Sequence, residues 1–354
     1  MIFIGDVHIA ADRIRYSILK VKLRKENPYS KRFSPRLVHL LETIKWIDDY
    51  ALKHPTEKVM QLGDIVSRAV LDAEELSMIE EIVPITQKWE AIRGNHGLST
   101  NGHDSDCAVP FAKMIRTPTW VVHTVVEDSN RKMNIVYLPY VLEKDRKPLA
   151  EYLVGMNRSI PTLIVSHNDI KGMDYGMVKE KNGWSMAELE AHSDFIVNAH
   201  IHNTQWVSEK ILIVGNVDGE NLSEDYRKHP HGIWELDEMA FTSGFRPREC
   251  VKFIPNPCAM KFANVEIKTE KDIEIIKKAS DDKTILAITV TENLAEEAQI
   301  LIDQHLAGGK KLVIAKKRIA QQNTENNIEF EDHIKKFKRC AIAEFGQLAV
   351  INEI

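Results

Sequence analysis

The sequence contains few cysteines and no long hydrophobic run. Four cysteines occur among 354 residues, without the density of a secreted disulfide scaffold or the paired short spacings of a zinc site, so we expect free thiols. No stretch approaches the roughly 18 consecutive apolar residues that a membrane span needs, and no basic run leads into an apolar signal segment at the N-terminus. These absences predict a cytoplasmic protein with no membrane partner. The cysteines are Cys107, Cys250, Cys258 and Cys340.

The sequence also lacks a strong excess of one charge. It has 47 Lys and Arg against 52 Asp and Glu, a formal net charge of -5, which excludes binding to nucleic acid through overall charge. Contact with DNA would need a local patch or a partner. Residues 1–34 contain one weak candidate; a charge run of this kind is more often a solvated surface loop. Its candidate DNA-binding residues are Arg13, Arg15, Lys20, Lys22, Arg24 and Lys25.

What the sequence does have is a series of short apolar runs of strand length. Most are rich in β-branched residues and end at Gly, Pro, Ser or Asn, as strands do. A helix is predicted after Ser34 and Pro35, which suit an N-cap and a first helical position. The alternation predicts an α/β domain with layered sheet and helices. The predicted strands cover 2–4, 59–62, 134–138, 163–165, 195–197 and 211–214.

The pattern changes near residue 240, where a compact α/β unit is predicted. It reads as strand 262–268, helix 270–280, strand 284–290, helix 292–307 and strand 311–316. A polar linker follows at 321–327, and then an amphipathic helix that would either pack on its own domain or bind a partner helix. We therefore divide the chain into domains at 1–245 and 246–318, with a linker and partner-binding segment at 319–354.

Potential metal ligands follow five of the likely strands. In sheet-and-helix proteins, sites form beyond the carboxyl ends of strands, so these residues could converge although they span about 200 positions. Singly, each would more often be a turn or a hydrogen-bonded loop residue; their joint occurrence favours a site. The stretches are Asp6-Val7-His8, Gly63-Asp64, Gly94-Asn95-His96, Ser166-His167-Asn168 and Ala199-His200-Ile201-His202.

These residue types suit a pair of divalent cations. Two ions roughly 3.5–4 Å apart need a bridging carboxylate, which Asp64 would supply, and several neutral donors. Imidazole mixed with carboxylate favours Mn, Fe or Zn over Ca. His96 would remain outside the ligand set, free to stabilise charge or to protonate a departing oxygen. The expected shells are Asp6, His8 and His202 for one ion and Asn95, His167 and His200 for the other.

In these motifs the chain resembles the calcineurin-like metallophosphoesterases, whose pattern is D-x-H, G-D, G-N-H-D/E, H and G-H-x-H. In layout it is similar to the SbcD-type nucleases of that family. The resemblance implies a four-layer α/β/β/α sandwich, a smaller α/β capping domain and a C-terminal helical segment. It also implies two Mn ions that cleave DNA phosphodiesters, the same seven ligands and His96 as the catalytic histidine. The partners implied are DNA and an SbcC-type coiled-coil ATPase, and a homodimer is left open.

The sequence departs from the family pattern after the third motif. Gly97 stands where the family usually has an acidic residue, so His96 would be held by Asp104, by Asp106 or by nothing. Ala199 also replaces a glycine. Two other functions remain open: a metallophosphatase or small-molecule phosphodiesterase on the same scaffold, and a non-catalytic scaffold protein.

Overall fold

The computed structural model describes residues 1–11, 28–55, 57–98, 119–121, 124–173, 179–220, 224–269, 271–274, 284–291, 296, 300 and 313–320. Helices in these ranges are α1 (Pro35–Lys53), α2 (Ala73–Thr86), α3 (Leu149–Tyr152), α4 (Met186–Ala191), α5 (Glu238–Thr242) and α6 (Pro247–Cys250). None of these described helices has the length and apolar character to cross a membrane.

Seventeen strands are interspersed with these helices in the described residues. The first nine are β1 (Ile2–Ile4), β2 (Val59–Gln61), β3 (Trp89–Ile92), β4 (Thr119–Val121), β5 (Thr124–Asp128), β6 (Met133–Leu138), β7 (Thr162–Ser166), β8 (Ile170–Lys171) and β9 (Trp184–Ser185). The remainder are β10 (Phe195–Asn198), β11 (Gln205–Trp206), β12 (Ile211–Ile213), β13 (Gly232–Leu236), β14 (Val251–Pro255), β15 (Lys261–Ile267), β16 (Thr284–Thr291) and β17 (Val313–Ala320).

Two six-stranded sheets form the first part of the molecule. Their strand orders are β14-β13-β1-β2-β3-β4 and β11-β12-β10-β7-β6-β5. Strands β1 to β4 of one sheet and β12, β10, β7 and β6 of the other run parallel. Parallel strands buried on both faces are nearly continuous in apolar residues, which explains why the sequence revealed most of them. β14 follows the predicted boundary at 245/246 and pairs with β13 in the first sheet.

α1 begins where the sequence predicts it. Pro35 occupies the first turn, and the predicted cap Ser34 precedes it, but the Ser34 side chain makes no capping hydrogen bond. α2 begins with a complete capping box, in which Asp72 accepts from the backbone of Glu75 and the Glu75 side chain accepts from the backbone of Asp72. The two helices therefore begin by different means.

Three clusters of buried side chains hold the layers together. The first joins one face of the first sheet, including Ile2 and Ile4, to α1 and α2. The second joins the other face of that sheet, including Phe3, to strands of the second sheet. The third joins the remaining face of the second sheet to α3 and α4. Because neighbouring strand residues point to opposite faces, Phe3 lies in a different cluster from Ile2 and Ile4.

A separate three-stranded parallel sheet has the order β15-β16-β17. Its strands occur at the three places where the sequence predicts them, with the last shifted to 313–320. Residues 271–274 are helical, whereas most of the two predicted helices lies outside the described residues. The basic candidates between Arg13 and Lys25, and the predicted partner-binding segment from residue 321 onward, also lie outside them. Cys250 and Cys258 form no disulfide within the described residues; the other two cysteines lie outside them.

Candidate metal centre

The sequence-predicted ligands lie at the carboxyl ends of parallel strands from both six-stranded sheets. β1, β2 and β3 lead into them from the first sheet, and β7 and β10 lead into them from the second. Three groups of these side chains place their ligand atoms within 4.8 Å of one another. The groups are Asp6–His8–His202, His8–Asp64–His96 and Asp64–His167–His200.

Asn95 connects two histidines of the third group. Its Oδ1 lies 3.1 Å from His167 Nε2 and 3.1 Å from His200 Nδ1. All eight residues predicted at the strand ends are therefore brought together, from positions between Asp6 and His202 in the chain.

The backbone is unusual at several of these residues. His8, Asp64 and His200 have φ angles of 51°, 49° and 75°, in the left-handed region that residues other than glycine rarely adopt. Lys132 is the remaining non-glycine residue of this kind in the described ranges. Such conformations cost about 1–3 kcal/mol each and cluster at functional sites. Three such residues at one place indicate a functional site, where the required side-chain positions are kept at a cost in backbone strain.

Two glycines allow the strand ends to approach closely. A Cβ on Gly63 would lie 2.3 Å from His167 Nδ1, and a Cβ on Gly94 would lie 2.1 Å from Asp64 Oδ1. Gly63 also has a φ of +103°. The glycines of the Gly-Asp and Gly-Asn pairs therefore make room for the side chains of neighbouring strands.

His167 faces two oxygen acceptors. It is buried and donates its Nδ1–H to the Leu62 carbonyl at 2.6 Å, because a carbonyl can only accept. Its Nε2 is then turned toward Asp64 Oδ2 and Asn95 Oδ1, each 3.1 Å away. Burial lowers the pKa of His167, but the carboxylates of Asp64 and Asp6 outweigh it and raise that pKa to about 9. The oxygens of Asp64 and Asn95, both directed at His167 Nε2, stabilise a positive charge at this position.

His8 and His202 also have ligand atoms that face each other, on the other side of the centre. Their Nε2 atoms lie 3.1 Å apart. Asp6 Oδ2 lies 3.8 Å from His8 Nε2 and 3.7 Å from His202 Nε2, is buried, and accepts no hydrogen bond from the described residues. A buried carboxylate oxygen beside two ring nitrogens fits a divalent cation.

The pKa values of these two histidines diverge. Burial lowers the pKa of His8 to about 4, although the charges of Asp6 and Asp64 partly oppose it. Burial also lowers the pKa of His202, but a hydrogen bond to Glu224 and the charge of Asp6 outweigh it and raise that pKa to about 9. Without a cation the pair therefore holds one positive charge at neutral pH.

Asp64 is placed to serve both halves of the centre. It belongs to the group with His8 and His96 and to the group with His167 and His200. Burial raises the pKa of its carboxyl group, but the neighbouring histidines, His167 first, outweigh that effect and hold the pKa well below its usual value. The carboxylate therefore remains ionised, as a bridging ligand must.

His96 lies at the rim, with 41% of its side chain exposed. Its Nδ1–H donates to the Ser67 carbonyl at 2.6 Å, and its Nε2 lies 3.9 Å from Asp64 Oδ2. A backbone carbonyl, which the sequence analysis did not consider, therefore holds one edge of this ring. Asp104 and Asp106 lie outside the described residues. Residue types could not reveal this partner, because every residue has a carbonyl.

Three acidic residues around the centre were missed by the sequence analysis. Asp169 Oδ1 accepts from His200 Nε2 at 2.9 Å, and Glu224 Oε1 accepts from His202 Nδ1 at 2.9 Å. Glu220 Oε2 lies 3.5 Å from His202 Nδ1. Asp169 follows His167 by two residues, which is a usable signal, whereas nothing in the local sequence links Glu220 or Glu224 to a histidine.

Comparisons with known proteins give little further guidance. No family model matches this chain, and no curated protein matches it. Among solved structures, it is similar to the crystal structure of the calcineurin-like phosphoesterase YfkN from Bacillus subtilis, at 13% identity over 66% of this chain and 83% of that chain. The TM-score is 0.31, and a similarity of this size does not establish a common fold.

Proposed function

We propose that this chain is a two-metal phosphoester hydrolase of the calcineurin-like type. The observation that carries the proposal is the convergence, from both sheets, of donor atoms that face one another. His167 Nε2 faces Asp64 and Asn95, and His8 Nε2 faces His202 Nε2. The lone pairs of such facing atoms repel one another unless a cation or a proton lies between them. The number of carboxylate and imidazole ligands suits two divalent ions.

In the same proposal the three hydrophobic clusters separate four layers. One cluster lies between helices and the first sheet, one between the sheets, and one between the second sheet and further helices. We read this as the α/β/β/α sandwich, with the three-stranded sheet of β15–β17 as the core of a capping domain.

The residues have separate tasks in this reading. Asp64 would bridge the ions, with Asp6, His8 and His202 on one and Asn95, His167 and His200 on the other. Two bound divalent ions lower the pKa of a coordinated water and neutralise charge on phosphate oxygens. His96 stands beside the ligands with its ring edge exposed, held by Ser67, where its Nε2 can hydrogen-bond a phosphate oxygen or deliver a proton to the leaving oxygen.

For the substrate we propose DNA, with Mn as the metal, and an SbcC-type ATPase as the partner. The extra sheet after the six-stranded pair supports a nuclease over a small-molecule hydrolase, which needs no such addition. The basic stretch from Arg13 to Lys25 and the terminal amphipathic segment support it from sequence alone.

The test is to offer the purified chain, with Mn²⁺ and then with Mg²⁺, a linear duplex, a single strand and a simple phosphomonoester. We expect Mn²⁺-dependent cleavage of DNA that is abolished in Asp64→Asn, a variant that keeps the volume and tolerates the left-handed backbone. Hydrolysis of the monoester alone would identify a metallophosphatase. Absence of hydrolysis together with fewer than one Mn bound per chain would identify a non-catalytic scaffold.

A further inference from the structure

Two carboxylates outside the predicted ligand set hold the last two ligand histidines. His200 and His202 are separated by one residue, yet their rings lie beside different histidines. The His202 ring lies 4.9 Å from that of His8, and the His200 ring lies 5.1 Å from that of His167. Each ring also has one nitrogen bound to a carboxylate on the side away from those partners.

Glu224 holds His202. Its Oε1 lies 2.9 Å from His202 Nδ1, and because an ionised carboxylate only accepts, the proton of the neutral ring must be on Nδ1. Its Oε2 accepts from the backbone N–H of Glu220 at 2.8 Å, and Asn216 Nδ2 lies 3.4 Å from Oε1. Glu224 is 1% exposed, so both of its oxygens are committed to donors in a buried setting.

Asp169 holds His200 by the opposite edge. Its Oδ1 lies 2.9 Å from His200 Nε2, so this proton must be on Nε2. The lone pair of His200 Nδ1 is then directed toward Asn95 Oδ1, 3.1 Å away. His202, in contrast, directs Nε2 toward His8.

We propose that Asp169 and Glu224 are positioning residues that fix opposite tautomers of His200 and His202, so that the two histidines present different ring nitrogens to the two halves of the centre. This inference rests on the proposed metal site and adds the residues that select its donor atoms. Carboxylates that hold a ligand histidine fix its orientation and increase its basicity, and their loss typically costs 10–100-fold in metal affinity.

The substitution Glu224→Gln removes the carboxylate that fixes the His202 tautomer, with little change in volume. Both Glu224 oxygens receive donors, so the amide must point its NH₂ group at either His202 or the Glu220 N–H. Asp169→Asn makes the matching change at His200. Glu209→Gln serves as control, since the Glu209 side chain is 68% exposed and pairs with Arg248 away from the centre.

The first measurement is Mn²⁺ binding by calorimetry. We expect the wild-type chain and Glu209→Gln to bind two ions alike, and Glu224→Gln and Asp169→Asn each to weaken one ion about 10–100-fold. In a His202→Ala background Glu224→Gln should add less than about twofold, because coupled residues are not additive. An equal loss in both backgrounds would show that Glu224 does not act through His202 and would overturn the inference. Wild-type affinity in both single variants would also overturn it while leaving the metal site intact.

The second measurement reads the tautomers directly. In the Zn²⁺-loaded chain with ¹⁵N-labelled histidine, proton–nitrogen correlation spectra should show His202 protonated at Nδ1 and His200 at Nε2. Finding both protonated at the same nitrogen would overturn the inference. If Glu224→Gln does not fold, the Asp169→Asn variant, paired with His200→Ala, carries the same test, because Asp169 lies nearer the surface. A wild-type chain that binds no Mn²⁺ would overturn the proposed function and this inference together.

Discussion

At the scale of single residues, the centre combines donor atoms with a strained backbone. Three candidate ligands, His8, Asp64 and His200, have left-handed φ angles. Replacing one of them by alanine would remove a donor and also change the backbone cost, so the two effects would be confused. Asparagine is the better replacement, because it tolerates this region and can still hydrogen-bond.

His96 should be separable from the metal ligands. Since its Nδ1 is bound to Ser67 and its Nε2 lies 3.9 Å from Asp64, His96→Ala should leave both ions in place. We expect hydrolysis to fall about 100-fold or more, the usual contribution of a proton-transferring group. Activity assays with calorimetry on the same samples test this. Loss of bound Mn²⁺ in His96→Ala would place the ring among the ligands instead.

Gly94 should not accept a side chain. The added Cβ of Gly94→Ala would lie 2.1 Å from Asp64 Oδ1, so Asp64 must move. We expect at least a tenfold loss of Mn²⁺ affinity and about 1–3 kcal/mol of destabilisation. Gly155→Ala is the control: its φ is +83° and nothing lies within 4 Å of the new Cβ, so it should cost stability without altering Mn²⁺ binding. Equal effects of both variants on Mn²⁺ affinity would refute the close-approach argument.

At the scale of elements, the two long helices support the first sheet from one side. α1 and α2 both contribute to the cluster that covers its outer face. Their N-termini differ, however, since Asp72 caps α2 through its side chain and Ser34 does not cap α1. The helices therefore depend on their first residues to different degrees.

This difference predicts unequal effects of two alanine substitutions. Asp72→Ala removes the acceptor for the backbone N–H groups of Glu74 and Glu75, and should destabilise the protein by about 1 kcal/mol. Ser34→Ala removes a buried hydroxyl that makes no hydrogen bond in the described part of the chain, and should change stability by less than about 0.5 kcal/mol. Denaturant titration of the metal-free proteins measures both. A larger effect of Ser34→Ala would show that this hydroxyl caps α1 in solution.

Among the strands, some could be predicted from the sequence and others could not. Central parallel strands such as β7 and β10 are short apolar runs, and the ligands follow them directly, so strands and ligands were predictable together. β5 and β14 were not, because their residues are mostly half-exposed or exposed and carry no apolar run. The partners Ser67 and Glu224 were not predictable either, because loop conformation determines which carbonyl or carboxylate meets a ring.

At the scale of the whole molecule, the proposed metal ions would compete with protons for the same atoms. The folded, metal-free chain raises the pKa of both His167 and His202 to about 9, from about 6.5 in the unfolded chain. Each histidine therefore contributes stability that is fully present below pH 6.5 and is lost as the pH rises toward 9. A bound divalent cation would displace these protons and supply the positive charge between the facing ligand atoms.

We accordingly expect opposite pH trends for folding and for metal binding. The melting temperature of the metal-free chain should fall between pH 6.5 and 9, whereas the apparent Kd for Mn²⁺ should fall about tenfold per pH unit for each ion that displaces one proton. Calorimetry in buffers of different ionisation enthalpy counts the protons released. A Kd independent of pH over this range would exclude His167 and His202 as ligands.

The wide spacing of the ligands along the chain has a consequence for synthesis. The first candidate ligand is Asp6 and the last is His202. The strands that precede the ligands belong first to one sheet, β1 to β3, and then to the other, β7 and β10. A nascent chain on the ribosome cannot complete one ligand set until His200 has emerged, or the other until His202 has emerged, and the loops between the ligands must then close. Under the proposed function, metal capture would thus be a late event of biogenesis, and a truncated translation product ending before residue 200 would carry no complete ligand set.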